Sequence, residues 1–147
     1  MKKILALAAN NTKKDDIVQL IKAHKKELAE IDLIATQGTG RYIQEKTGLQ
    51  VTLLSSGQLG GEQQIGGLVA NGEVTAVIFL RDPLHANSNE SKGTALVKVC
   101  DVYNVPIATN LMTAEAVLHL LAEHPEALGG HHLAAQFLEE IADKHES

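Results

Sequence analysis

The chain has 147 residues, 44% of them hydrophobic and 21% charged, and carries a net charge of −5 at neutral pH. A length close to one typical domain, with enough apolar residues for a core, excludes a tandem array and wholesale disorder. The acidic balance and the few aromatic side chains, Tyr42, Tyr103, Phe79 and Phe137, supply neither the basic surface nor the stacking platforms of a nucleic-acid binder.

In chain order, Met1-Lys2-Lys3 and the apolar run that follows mimic a leader peptide. The polar stretch 10–16 cuts that run short, and it reads as a buried first strand. No apolar run approaches the roughly 18 residues of a membrane helix, so no membrane partner is expected. Runs of strand length at 3–9, 31–35, 50–55, 75–80 and 105–109 alternate with stretches of helical spacing. That alternation is the pattern of an α/β fold with five parallel strands joined by covering helices. Four apolar stripes are expected to face the sheet: Ile17, Leu20, Ile21 and Leu28; Ile65, Leu68 and Val69; Leu96, Val99, Val102 and Tyr103; and Ala116, Val117, Leu120 and Leu121. The whole chain, 1–147, reads as one domain. Its segment 125–147 stands apart, with Gly129-Gly130-His131-His132 leading into a last amphipathic helix over 133–145. The single cysteine, Cys100, lies in an apolar run, which predicts a buried thiol and suits a reducing cytoplasm.

Right-handed crossovers bring every strand-to-helix loop to the carboxyl edge of such a sheet, where open α/β folds bind ligands. Three of these loops are polar or glycine-rich: Asn10-Asn11-Thr12, Thr36-Gln37-Gly38-Thr39-Gly40 and Ser56-Gly57-Gln58-Leu59-Gly60-Gly61. Any one of them is ordinarily a helix cap. Three converging on one edge, with Lys14 one turn into the first helix, form a cradle of hydroxyls, close backbone and helix-start N–H groups that suits a small anion such as phosphate. Neither GxxxxGK[ST] nor GxGxxG follows a strand, so the standard nucleotide loops are absent.

Glu62 opens the helix after Gly60-Gly61. There it either complements the helix dipole or, reaching into the cradle, serves as a general base on a carbon acid. Asp82, in Asp82-Pro83-Leu84 at the end of the fourth strand, either caps a turn or accepts a hydrogen bond from a substrate hydroxyl. The seven histidines have no metal-ligand spacing, and no nucleophile elbow occurs, so neither a metal site nor covalent catalysis is expected.

The segments Ala35-Thr36-Gln37-Gly38-Thr39-Gly40, Leu54-Ser55-Ser56-Gly57-Gln58-Leu59-Gly60-Gly61-Glu62-Gln63-Gln64-Ile65-Gly66, Ile78-Phe79-Leu80-Arg81-Asp82-Pro83-Leu84 and Asn104-Val105-Pro106-Ile107-Ala108-Thr109-Asn110 together resemble the methylglyoxal synthase family. The resemblance runs from about residue 4 to 121. It implies a single Rossmann-like domain, with the five-stranded parallel sheet flanked by helices on both faces, assembled as a homohexamer. It also implies an activity: removal of a proton from dihydroxyacetone phosphate, then loss of inorganic phosphate, with no cofactor. By the same resemblance, the phosphate-holding positions are Lys14, Thr36, Gly38, Thr39, Ser56 and Gly57, with Asn10 and Lys92 beside them and Glu62, Asp82 and Asn89 in catalytic places.

Several of these positions depart from the family's pattern. Gly38 replaces a threonine, and Gln37 a glycine. Asn10 and Asn11 stand in place of a His-Asp pair, Asn89 in place of a histidine, and Lys92 in place of an acid. Glu62 replaces the aspartate base, and the extra methylene moves the carboxylate by about 1 Å, a displacement that can cost roughly 100-fold in rate. An amide donates a hydrogen bond but shuttles no proton. Two functions follow: a lyase of the family's type, or a binding module for phosphate or a phosphorylated metabolite that has lost proton transfer.

Overall fold

The computed structural model describes residues 3–84, 92–125, 128, 139 and 141–144. Five strands, β1 (Ile4–Ala9), β2 (Asp32–Ala35), β3 (Thr52–Leu53), β4 (Ala76–Leu80) and β5 (Ile107–Ala108), alternate with helices α1 (Lys14–Ala23), α2 (Lys25–Leu28), α3 (Gln37–Thr47), α4 (Gly61–Ala70), α5 (Thr94–Tyr103) and α6 (Leu111–Glu123). All pairings are parallel, in the order β3-β2-β1-β4-β5. The run that mimicked a leader is thus the central strand, buried because it has a neighbour on each side and helices on each face.

The period-two alternation of the strands sorts their side chains between two cores. Leu5, Leu7, Leu33, Ala35, Ala76, Ile78 and Leu80 meet α1, α2, α3 and α6 through Ile17, Leu20, Ile21, Leu28, Ile43, Val117 and Leu121. Ala6, Ala8, Ile34, Val77 and Phe79 meet α4 and α5 through Ile65, Val69, Leu96 and Cys100. Helices therefore cover both faces. Cys100 is fully buried in the second core, and its desolvated thiol, beside Asp101, is pushed up from 9.0 to about 12.

Three expectations need correction. The strands expected at 50–55 and 105–109 pair over only two residues each, because both lie at the margins of the sheet with a single neighbour. In α6 the buried residues are Ala114, Val117, Leu118 and Leu121, while Ala116 and Leu120 face outward. Nearly every side of that helix carries apolar residues, so spacing alone leaves its phase open. In α5 Val102 points away from the sheet, 44% exposed, and Cys100 takes the inward place. Of the helix expected over 133–145, residues 139 and 141–144 are helical, and the rest of it lies outside the described residues, as do His131 and His132. Among the described residues no helix is long and apolar enough to cross a membrane.

Candidate functional site

β1 and β4 lie side by side at the centre of the sheet, and the chain leaves them toward opposite margins. Such a switch point opens a crevice at the carboxyl ends of the strands. Asn10, the residue after β1, closes the base of that crevice. It is buried, its N–H donates to the Leu80 carbonyl at 3.0 Å, and its Oδ1 accepts from the Asp82 N–H at 2.8 Å. A single 3-10 turn, Asn11–Lys13, then leads into α1. The Lys14 ammonium, at the head of α1, donates to Asn11 Oδ1 at 2.9 Å.

The second loop is nearly absent: Thr36, buried, follows β2 and precedes the first residue of α3. Its N–H donates to the Leu7 carbonyl at 3.2 Å and its carbonyl accepts from Gly40 at 2.8 Å. The helix ladder offers no acceptor to the N–H groups of Gly38 and Thr39 in the first turn. Thr39 is buried, with its hydroxyl-bearing side chain in the same wall.

The third loop folds as a second 3-10 turn, Gly57–Leu59, with Ser56 in extended backbone before it. The Ser56 carbonyl accepts from Leu59 at 3.0 Å and from Gly61 at 2.9 Å. Gly60 takes φ +100°, a left-handed conformation that favours glycine, and turns the chain into α4. At Gly61 the requirement is for space. A Cβ there would lie 2.0 Å from the Ser55 carbonyl oxygen and 2.9 Å from Thr36 Cγ2, so the second and third loops meet backbone against side chain with no room for alanine. That close contact holds the half-buried Glu62 over the cradle. Its Oε2 comes within 3.5 Å of where a Cβ on Gly57 would stand.

These pieces enclose a cavity of about 180 Å³ walled by Asn10, Asn11, Lys14, Thr36, Gly38, Thr39, Ser56, Gly57 and Glu62. It is smaller than the roughly 300–1,000 Å³ of drug-sized pockets and suits a metabolite of a few carbons. Its lining combines hydroxyls, helix-start N–H groups and an ammonium with one carboxylate. The first set fits an oxyanion, and the second fits an acidic C–H bond or a hydroxyl.

Two expected residues do not line this cavity. Asp82 and Lys92 lie in an adjoining groove, which shares Asn10 with the cavity and also holds Lys13 and Arg81. Asp82 is buried; its Oδ1 accepts from the Leu84 N–H at 3.0 Å and its Oδ2 from the Thr12 hydroxyl. It caps the turn after β4, as one of its two sequence readings held. Lys92 is exposed, and its carbonyl accepts from Arg81 Nη1 at 3.1 Å. Asn89 lies outside the described residues. The structure also adds walls that the sequence reading left out. Gln58 stands at the rim and Phe79 with Ala8 and Ala9 at the floor. Phe79 could have been found from strand alternation, which points it to the α4 face where the third loop enters.

Comparison with known proteins gives a consistent picture. Residues 16–109 match the family model of the MGS-like domain. The methylglyoxal synthase of Moorella thermoacetica is 50% identical over 121 residues, covering 82% of this chain and 94% of that protein. The methylglyoxal synthase of Thermus thermophilus is 52% identical over 116 residues, with 79% and 92% covered. Among solved structures, the crystal structure of methylglyoxal synthase from Elizabethkingia anophelis NUHP1 superposes with a TM-score of 0.77 at 39% identity, covering 80% of this chain and 77% of that one.

Proposed function

The chain belongs to the methylglyoxal synthase family, and from that premise we propose that it is a lyase converting dihydroxyacetone phosphate to methylglyoxal and inorganic phosphate. One observation carries the reading: the Glu62 carboxylate comes over Gly57 in a cavity that Lys14, Thr36, Thr39 and Ser56 also line. The phosphate of the substrate is held by Lys14, the hydroxyls of Thr36, Thr39 and Ser56, and the backbone N–H groups of Gly38 and Gly57. A dianion at the start of α3 is favoured both by these donors and by the helix dipole.

Glu62 takes a proton from the hydroxymethyl carbon beside the carbonyl, leaving an enediolate. The enediolate's hydroxyl gives its proton to the departing phosphate as its oxygen closes the aldehyde C=O, the carbon–carbon double bond shifts, and the bond between the far carbon and the phosphate oxygen breaks. Hydrogen phosphate departs into the cradle that already holds it, and the enolate left behind takes the proton carried by Glu62 onto its terminal carbon to give the methyl ketone. Asn10 stabilises the enediolate. Its Oδ1 accepts from the Asp82 N–H, which fixes the side chain, and a fixed amide at a developing oxyanion lowers the barrier without needing to transfer a proton. Asp82 is a positioning residue for Asn10 in this scheme. Lys92, with Lys13 and Arg81, makes the approach positive and raises the local concentration of an anionic substrate. Action in the cytoplasm and assembly as a homohexamer complete the proposal.

The test is direct. Purified protein given dihydroxyacetone phosphate should release phosphate and methylglyoxal in equal amounts, and Glu62→Gln should stop release while phosphate still binds. Phosphate binding with no release in the unaltered protein would assign the chain to the sensor reading, for which the amide at Asn10 is the favouring observation. No binding of either compound would sink both.

A further inference from the structure

Gly38 is the third residue of the chain between β2 and the body of α3, and nothing in its backbone calls for glycine. Its φ is not positive, since among the described glycines only Gly48, Gly60, Gly72 and Gly93 take left-handed values. It lies inside the first turn of a helix, where glycine is worse than alanine. Its flanks are not crowded by the fold either. Among the described residues outside its own helix, a Cβ at this position would meet only Lys14 within 4 Å, with Nζ at 2.9 Å and Cε at 3.7 Å. The missing side chain therefore leaves one thing, a seat for an ammonium group at the start of α3. Lys14 is steadied in that seat by Asn11, whose Oδ1 accepts from Nζ at 2.9 Å.

We propose that Gly38 is a specificity-determining residue: by lacking a side chain it seats the Lys14 ammonium against the first turn of α3, so that a full positive charge takes the place a hydroxyl-bearing side chain would otherwise fill. The proposal rests on the reading of the cavity as a phosphate site and says how that site selects. A charge-assisted contact discriminates by the charge of the ligand more strongly than a neutral hydroxyl does. The ligand class favoured is accordingly a phosphate monoester in its dianionic form. A sulfate ester of the same shape carries one charge fewer and is disfavoured.

The substitution that looks restorative is the informative one. Gly38→Thr adds a hydroxyl donor to the cradle, so a cradle built on hydroxyls predicts tighter phosphate binding. Displacement of the ammonium predicts the opposite, a loss of roughly tenfold or more in affinity for inorganic phosphate. Gly38→Ala adds no donor and only the displacing carbon, and it should weaken phosphate binding while leaving the thermal midpoint unchanged or raised, since alanine is the better helix former. A double-mutant cycle with Lys14→Met completes the test. In that background Gly38→Ala should change phosphate affinity by less than about twofold, because no ammonium remains to be moved. Titration calorimetry with inorganic phosphate reads all of these, and dihydroxyacetone sulfate against dihydroxyacetone phosphate reads the charge selection. Failure of the unaltered protein to bind phosphate would refute the site itself. Binding in the unaltered protein that is equalled or improved by both Gly38→Ala and Gly38→Thr would refute the role of Gly38 alone.

Discussion

On the β1–β3 side of the carboxyl rim, Lys14, Thr36, Thr39, Ser56 and Glu62 surround an open cavity. On the β4–β5 side, residues of similar type are engaged by the chain itself. Asp82 binds the Leu84 N–H and the Thr12 hydroxyl. Asn110 accepts from both the N–H and the hydroxyl of Thr113, each at 3.0 Å, and so caps α6. The contrast teaches that a polar side chain at a strand end is not by itself a site. What separates the two halves is that the Asp82 carboxylate and the Asn110 amide each accept from a backbone N–H two or three residues further along the chain. On the other side Gly61 of the third loop packs against Thr36 of the second, and the cavity lies among the three loops.

That contrast is open to attack by mutation. The largest effect belongs to the open side: Glu62→Gln should lower turnover of dihydroxyacetone phosphate by about 10²–10⁴-fold, the usual range for a general base, with urea-unfolding stability essentially intact. On the closed side the order reverses. Asp82→Ala leaves the Leu84 N–H and the Thr12 hydroxyl without their acceptor and should cost about 1–3 kcal/mol in stability, with a smaller loss of turnover than Glu62→Gln. A loss of turnover as deep as that of Glu62→Gln, with no loss of stability, would break the comparison and make Asp82 a direct substrate ligand. Asn110→Ala should cost about 1 kcal/mol through the lost cap and leave phosphate affinity unchanged. A change in affinity would extend the site across the rim.

A further effect lies beneath the rim, at Cys100, and is felt only at high pH. Its thiol holds its proton in the folded chain up to about 12, against 9.0 when exposed. Above pH 9 the unfolded chain therefore binds fewer protons than the folded one, and stability falls as pH rises through that interval and is fully retained below it. Cys100→Ala should flatten this part of the pH–stability curve. An unchanged slope would mean that the thiol does not contribute to it.

Much of this was legible in the residues. β1 and β4 announced themselves as apolar runs with neighbours implied on both sides, and the three loops declared their chemistry through Thr36, Thr39, Ser56 and their glycines. What was hidden depends on distance along the chain. Asp82 could be read as a cap or a ligand until Thr12, 70 residues away, was found on its Oδ2. The link between Gly38 and Lys14 was equally silent, since it consists of a space between two helices. The phase of α6 was misread because hydrophobicity surrounds that helix, and only its partners on α1 and β5 decide which residues turn inward.

The margins of the sheet have a consequence for how copies of this protein can meet. Each outermost strand pairs over two residues only, too few to template a neighbouring chain by continued backbone hydrogen bonding. Self-association by strand addition, the common route to fibrils, is thereby discouraged at either end. Stable assembly has to run through side chains on helices and loops, where shape and charge can choose the partner.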